Sequence, residues 1–167
     1  MSKIKLYPYN KDFIEIFEKE KMKIKKVLPE AEIHHIGSTA IPGVAGKGII
    51  DILIALDNWE EKEKTVEILK GLGFTHIHPE EEGRIFLSRI GDTKYKDAHI
   101  HLVEKGNKDY RKKLLFRDFL REDQIEAQKY QELKYRCIQE AKGNRNKYNE
   151  LKDSYIEKIL KRAQEKY

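Results

Sequence analysis

Residues 33–54 constrain this chain more than any other stretch. They read as strand, loop, strand, and the loop concentrates Gly37, Ser38, Thr39, Gly43, Gly46 and Gly48. Small residues let a backbone approach a ligand closely and reach φ angles closed to larger side chains, so such a loop can present N–H groups to a phosphate. Beyond it, the apolar run from Ile49 to Ile54 looks like a strand buried on both faces, and Asp51 interrupts it. A carboxylate in such a strand needs a metal, a base or a set of hydrogen-bond donors. Strand alternation puts Ile49, Asp51 and Leu53 on one face and Ile50, Ile52 and Ile54 on the other.

The segments around this stretch supply the rest of an α/β (α+β) fold. Residues 11–28 place Phe13, Ile16, Phe17, Ile24, Val27 and Leu28 on one helical stripe, with Asn10 or Asp12 to cap it and Pro29 to end it. A second amphipathic helix is expected over 60–72, with Val66, Leu69 and Leu72 inward and Gly71 and Gly73 closing it. Strand-like segments follow at 74–78, 84–90 and 97–103, with turns at Pro79 to Gly83 and at Gly91-Asp92. The result is a sheet of about five strands. Two of its connections are short enough for antiparallel hairpins, so a mixed sheet is expected. From Lys108 onward the apolar positions recur at helical spacing, in three helices separated at the last junction by Gly143 and Asn144. Tyr110, Tyr130, Tyr148 and Tyr155 lie on their stripes, where tyrosines usually pack with the hydroxyl at the rim. At 167 residues the expectation is one domain over 1–167, with a sheet-containing core in 1–104 and a helical segment in 105–167.

Composition narrows the class of protein. Apolar residues make up 39% and charged residues 38%, which argues against a membrane protein and against a disordered one. No run is long enough to cross a bilayer, and Met1 to Leu6 has neither an apolar core nor a cleavage site, so a cytoplasmic location is expected, with no membrane partner. The single cysteine, Cys137, is assigned to packing. Charge is uneven: residues 1–104 carry 16 Lys and Arg against 18 Asp and Glu, while residues 105–167 carry 18 against 11. A basic second segment suits a nucleotide or another phosphate-bearing small molecule, and it would also suit RNA.

Several side chains could carry chemistry. His99 and His101 fall on one face of the strand at 97–103; if that strand lies beside 49–54, the two imidazoles converge with Asp51. Two histidines and a carboxylate form a plausible divalent metal site, and the plain alternative is imidazoles satisfied by backbone carbonyls. Ser38 and Thr39 can hold a phosphate oxygen or merely cap a turn. Lys47 can neutralise a phosphate or pair with a surface acid. Arg117 and Arg121, one helical turn apart, can form a cationic wall against the site or pair with Asp118 and Glu122. There is no P-loop and no Gly-x-Gly-x-x-Gly, and no serine or cysteine triad order points to covalent catalysis.

Taken together, His35-Ile36-Gly37-Ser38-Thr39-Ala40-Ile41-Pro42-Gly43, Lys47, Ile50-Asp51-Ile52, His99-Ile100-His101-Leu102-Val103, Leu115-Phe116-Arg117-Asp118-Phe119-Leu120-Arg121 and Tyr130-x-x-Leu133-Lys134 resemble the GrpB family (UPF0157). The resemblance runs from about residue 8 to the end. That family is similar to the nucleotidyltransferase superfamily, which implies a mixed sheet, a Gly-Ser loop in Gly37 and Ser38, and a first metal carboxylate in Asp51. Leu53 occupies the place of the second carboxylate, and His101 looks like the counterpart of the third acid. Those departures favour Mn²⁺ or Zn²⁺ over Mg²⁺, or a site that binds without turnover. Three functions follow as expectations: a metal-assisted nucleotidyltransferase-like enzyme, a non-catalytic nucleotide- or phosphate-binding module, and an RNA-binding protein. In the first, Gly37, Ser38 and Thr39 hold phosphate, Asp51, His99 and His101 hold the metal, and Lys47, Arg117 and Arg121 offset charge. The oligomeric state is not legible.

Overall fold

A computed structural model describes residues 4–91 and 97–167. Helix α1 (Asp12–Val27) begins where the Asn10 side chain accepts from the Asp12 amide at 2.9 Å, and it carries acids in its first turn and lysines in its last. Its inward stripe is Phe13, Phe17, Glu20 and Ile24; Val27, expected inward, is 40% exposed. Glu20 holds that position because the Arg89 guanidinium meets its carboxylate with two hydrogen bonds of 2.7 and 3.1 Å.

Strands β1 (Glu32–Ile36), β2 (Ile50–Leu56), β3 (His76–Ile77), β4 (Arg84–Arg89) and β5 (Ala98–Glu104) form one five-stranded sheet in the order β1-β2-β5-β4-β3. The sheet is mixed, as expected: β2 and β5 are parallel, and the other neighbours are antiparallel. Helix α2 (Lys62–Lys70) makes part of the long return that parallel pairing requires. It is shorter than the expected 60–72, because residues 59–61 form a 3₁₀ turn, and Thr65 with Leu69 rather than Val66 is fully buried. The strand expected over 74–78 is reduced to two paired residues, and Asp92 of the expected Gly91-Asp92 turn lies outside the described residues.

The two sheet faces are covered differently. Ile50, Ile52 and Ile54 join Ile100 and Leu102 in a core closed by Phe13, Phe17 and Ile24 of α1, with Leu69 and Phe74. On the opposite face Ile36, Leu53, Ala55 and Val103 meet Tyr110 and Leu114 of α3 (Lys108–Glu122). Helices α4 (Gln124–Ala141) and α5 (Arg145–Lys166) complete the helical segment. Asn107, Asp123 and Asn144 cap the three helices through side-chain oxygens, and Lys142 and Gly143, both with positive φ, end α4. Tyr130, Leu133, Cys137, Tyr148 and Ile159 pack between these helices, and Ile41 and Val44 of the glycine-rich loop insert into the same cluster. Tyr155, by contrast, is exposed. The helical segment therefore clamps the loop against the sheet. No helix among the described residues is long and apolar enough to cross a membrane.

Candidate functional site

The parallel register of β2 and β5 sets Asp51 opposite His99 and Leu53 opposite His101, and the β4 pairing adds Phe86 beside His101. All of them lie on the face that looks toward α3. Asp51 Oδ1 stands 3.4 Å from His99 Nδ1 and 3.6 Å from His101 Nε2, and the Phe86 ring packs edge-on against both imidazoles. Burial alone would push the Asp51 carboxyl up, but the two imidazoles reverse this and hold it below the ordinary carboxylate range. Burial also keeps the His101 imidazole below its ordinary value.

The loop reaches this carboxylate through Gly37. Its φ is +74°, and a Cβ there would stand 2.5 Å from Asp51 Oδ2, so both backbone and space require glycine. Ser38, Thr39 and Ala40 follow as a single 3₁₀ turn. The Thr39 hydroxyl is already engaged, 2.8 Å from His35 Nε2, and the buried His35 ring stacks on Phe17 at 4.4 Å. Behind Ser38, a Cβ on Gly46 would stand 2.7 Å from the serine Cβ, so a second close approach packs the loop on itself.

A cavity of about 490 Å³ opens between this sheet face, the loop and α3 to α5. Gly37, Ser38, Thr39, Lys47, Asp51, His99 and His101 all line it. Arg117 and Arg121 do not, which corrects the expectation of a cationic wall. They share one face of α3, as their spacing requires, but that face meets the loop backbone from outside: Arg117 Nη1 donates to the His35 carbonyl at 3.1 Å, and Arg121 Nε donates to the Ala40 carbonyl at 2.8 Å. Arg117 also pairs with Asp118.

The cationic groups of the cavity come from elsewhere. Lys112, Lys113, Lys134 and Lys152 line it together with Lys47. Lys112 pairs with Glu157, and Lys113 stands 3.9 Å from Asp109. Lys47, Lys134 and Lys152 have no ion pair among the described residues, and each lies in the field of another. Lys134 is 4% exposed, and its Nζ donates to the Ala45 carbonyl at 2.7 Å and lies 2.6 Å from Ser38 Oγ. Burial first, then Lys152 and Lys47, pull this amine down to about 7. Burial likewise lowers the Lys152 amine, which sits over the ring of buried Tyr148. Sequence reasoning gave Lys134 and Lys152 no role, although each follows a stripe tyrosine, Tyr130 or Tyr148, by four residues. A lysine on an apolar stripe was the available signal.

The donors at this site do not match the metal that the fold implies. Among the described residues no group of three or more His, Cys, Asp or Glu side chains is arranged to hold a metal ion. Leu53, on the same strand face as Asp51 and fully buried, offers no second carboxylate. One carboxylate with two imidazoles does not fit a two-Mg²⁺ site, which calls for oxygen ligands.

A mixed sheet carrying a Gly-Ser loop and an acid on the next strand defines a nucleotidyltransferase-like fold. Two crystal structures of the Cid1 poly(U) polymerase share it: the complex of its H336N mutant with MgATP superposes with a TM-score of 0.51 at 14% identity, over 68% of this chain and 38% of that one. The complex with MgGTP gives 0.50 at 12% identity. Within that fold the chain belongs to the GrpB family, whose sequence profile, described as GrpB protein, matches residues 3–162. The crystal structure of GrpB from Enterococcus faecalis superposes with a TM-score of 0.82 at 29% identity, covering 98% of this chain and 99% of that one. The UPF0157 protein YqkA of Bacillus subtilis is 36% identical over 160 residues, which is 92% of this chain and 45% of YqkA. A UPF0157 protein of Streptomyces coelicolor is 30% identical over 96% of this chain and 84% of its own length.

Proposed function

We propose that this chain binds a phosphate-bearing small molecule, a nucleoside triphosphate by preference, in the cavity between the Gly-Ser loop and the C-terminal helices. The observation that carries the reading is the trio of Lys47, Lys134 and Lys152. Lys152 and Lys47 both act against the charge on Lys134, and none of the three has an ion pair among the described residues; Asp51 attracts all three only through space, so an anion entering among them is stabilised. A nucleotide is preferred because the fold is shared with a polymerase whose crystals hold MgATP. Gly37, Ser38 and Thr39 of the loop line the same cavity as these amines.

Calorimetric titration with ATP and with inorganic triphosphate tests this. Both are expected to bind, and Lys47→Ala and Lys152→Ala are each expected to weaken binding about 10-fold or more, since a hydrogen bond to a charged group contributes roughly 1.5–3 kcal/mol. Absence of binding at millimolar ligand overturns the reading.

A further inference from the structure

One member of the lysine trio, Lys134, is paired with Ser38 on the cavity floor. Ser38 Oγ and Lys134 Nζ are 2.6 Å apart, and the amine is buried, fixed by the Ala45 carbonyl and packed over the Tyr130 ring. In the structure Lys134 Nζ donates to both the Ala45 carbonyl and Ser38 Oγ; once the amine is neutral its lone pair can turn to the hydroxyl, which then donates to nitrogen. Gly46 leaves room for Ser38 in this pairing, because a Cβ there would fall 2.7 Å from Ser38 Cβ and 3.1 Å from Ser38 Oγ. Ser38 itself is half-buried and faces the cavity.

We propose that Ser38 is a nucleophile and Lys134 its general base, and that the pair accepts a phosphoryl or nucleotidyl group from a nucleoside triphosphate. Serine–lysine pairs perform such activation on unrelated folds, with the amine taking the place of an imidazole. The proposal rests on a nucleotide entering this cavity. In the step, Ser38 Oγ bonds to a phosphorus of the phosphoanhydride. The bridging P–O bond breaks, and its electron pair leaves with pyrophosphate when the α-phosphorus is attacked, or with nucleoside diphosphate when the γ-phosphorus is. The hydroxyl proton passes to Lys134 Nζ. The new ammonium keeps the Ala45 carbonyl as acceptor and faces the transferred phosphate.

The amine of Lys134, drawn down to about 7, is largely free to accept a proton at slightly alkaline pH. An ordinary lysine is almost fully protonated there and cannot act as a base.

The test incubates the full chain with ATP labelled at the α or the γ position and follows the label by intact-mass and peptide mass spectrometry. Covalent label on Ser38 from either position supports the proposal, and the position shows which phosphorus is attacked. Ser38→Ala is expected to abolish the label. Lys134→Arg cannot accept a proton, so at ATP concentrations that saturate the variant by calorimetry labelling should slow by 100-fold or more. In the unsubstituted chain the labelling rate should rise with pH through about 7 and then level off. A rate independent of pH between 6 and 9, or one unchanged in Lys134→Arg, overturns the base role. ATP that binds without labelling Ser38 overturns this inference and leaves the binding reading standing; ATP that does not bind overturns both.

Discussion

His35 illustrates how one residue ties the site to the core. Its ring is buried, stacked on Phe17 and bonded to Thr39, and burial together with Arg121 draws the imidazole down to about 4. Between about 6.5 and about 4 the unfolded chain takes up a proton that the folded chain refuses. The stabilisation is therefore complete above about 6.5 and is lost as pH falls through that window, to a limit of roughly 3 kcal/mol. Urea midpoints at pH 7 and pH 4.5 should differ in the unsubstituted protein, and His35→Phe, which keeps the stack, should reduce that difference. An equal difference in both proteins would falsify the assignment. Asp51, His99 and His101 were legible because strand periodicity dictates facing. Lys134 and Lys152 were not, because their meeting with Ser38 and Lys47 depends on how α4 and α5 fold back over the sheet, which no local period encodes.

Element by element, α3 does more for the loop than for the ligand. Arg117 and Arg121 meet carbonyls on either side of the Ser38 turn, so they support its backbone rather than a phosphate. Arg121→Ala removes the donor from the Ala40 carbonyl, and because Arg121 is itself exposed the expected loss in chemical denaturation is only about 0.5–1 kcal/mol. An unchanged midpoint would mean that water replaces the guanidinium at that carbonyl without cost. Periodicity placed this helix and gave the pair a common face, but what the face touches is a tertiary fact. The same distinction explains α1, where an inward carboxylate became tolerable only with Arg89 from a strand far along the chain. The strands were legible from alternation and short connections, whereas β3 lost most of its expected length because only His76 and Ile77 find partners on β4.

Across the whole molecule, the charge asymmetry between the two segments acquires a geometry. Four of the five cavity lysines, Lys112, Lys113, Lys134 and Lys152, come from the basic helical segment, as do Asp109, Asp153 and Glu157, while Asp51 and the imidazoles come from the sheet. The joint between the segments is apolar: Ile41 and Val44 leave the loop and bury themselves among α3, α4 and α5. Ile41→Ala opens a cavity at a fully buried site, with an expected cost of about 2–5 kcal/mol. It should also weaken ATP binding, because the cavity has its loop on one side of that joint and its lysines on the other. A bound ligand that bridges the two sides stabilises both, in proportion to the logarithm of its concentration over its dissociation constant. Hydrogen exchange with ATP present should therefore slow amides in residues 37–47 and in α4 and α5 together, and Ile41→Ala should reduce the protection in both regions. Protection confined to the loop would mean that the ligand does not reach the helices, and the lysines of α4 and α5 would then have to be explained without it.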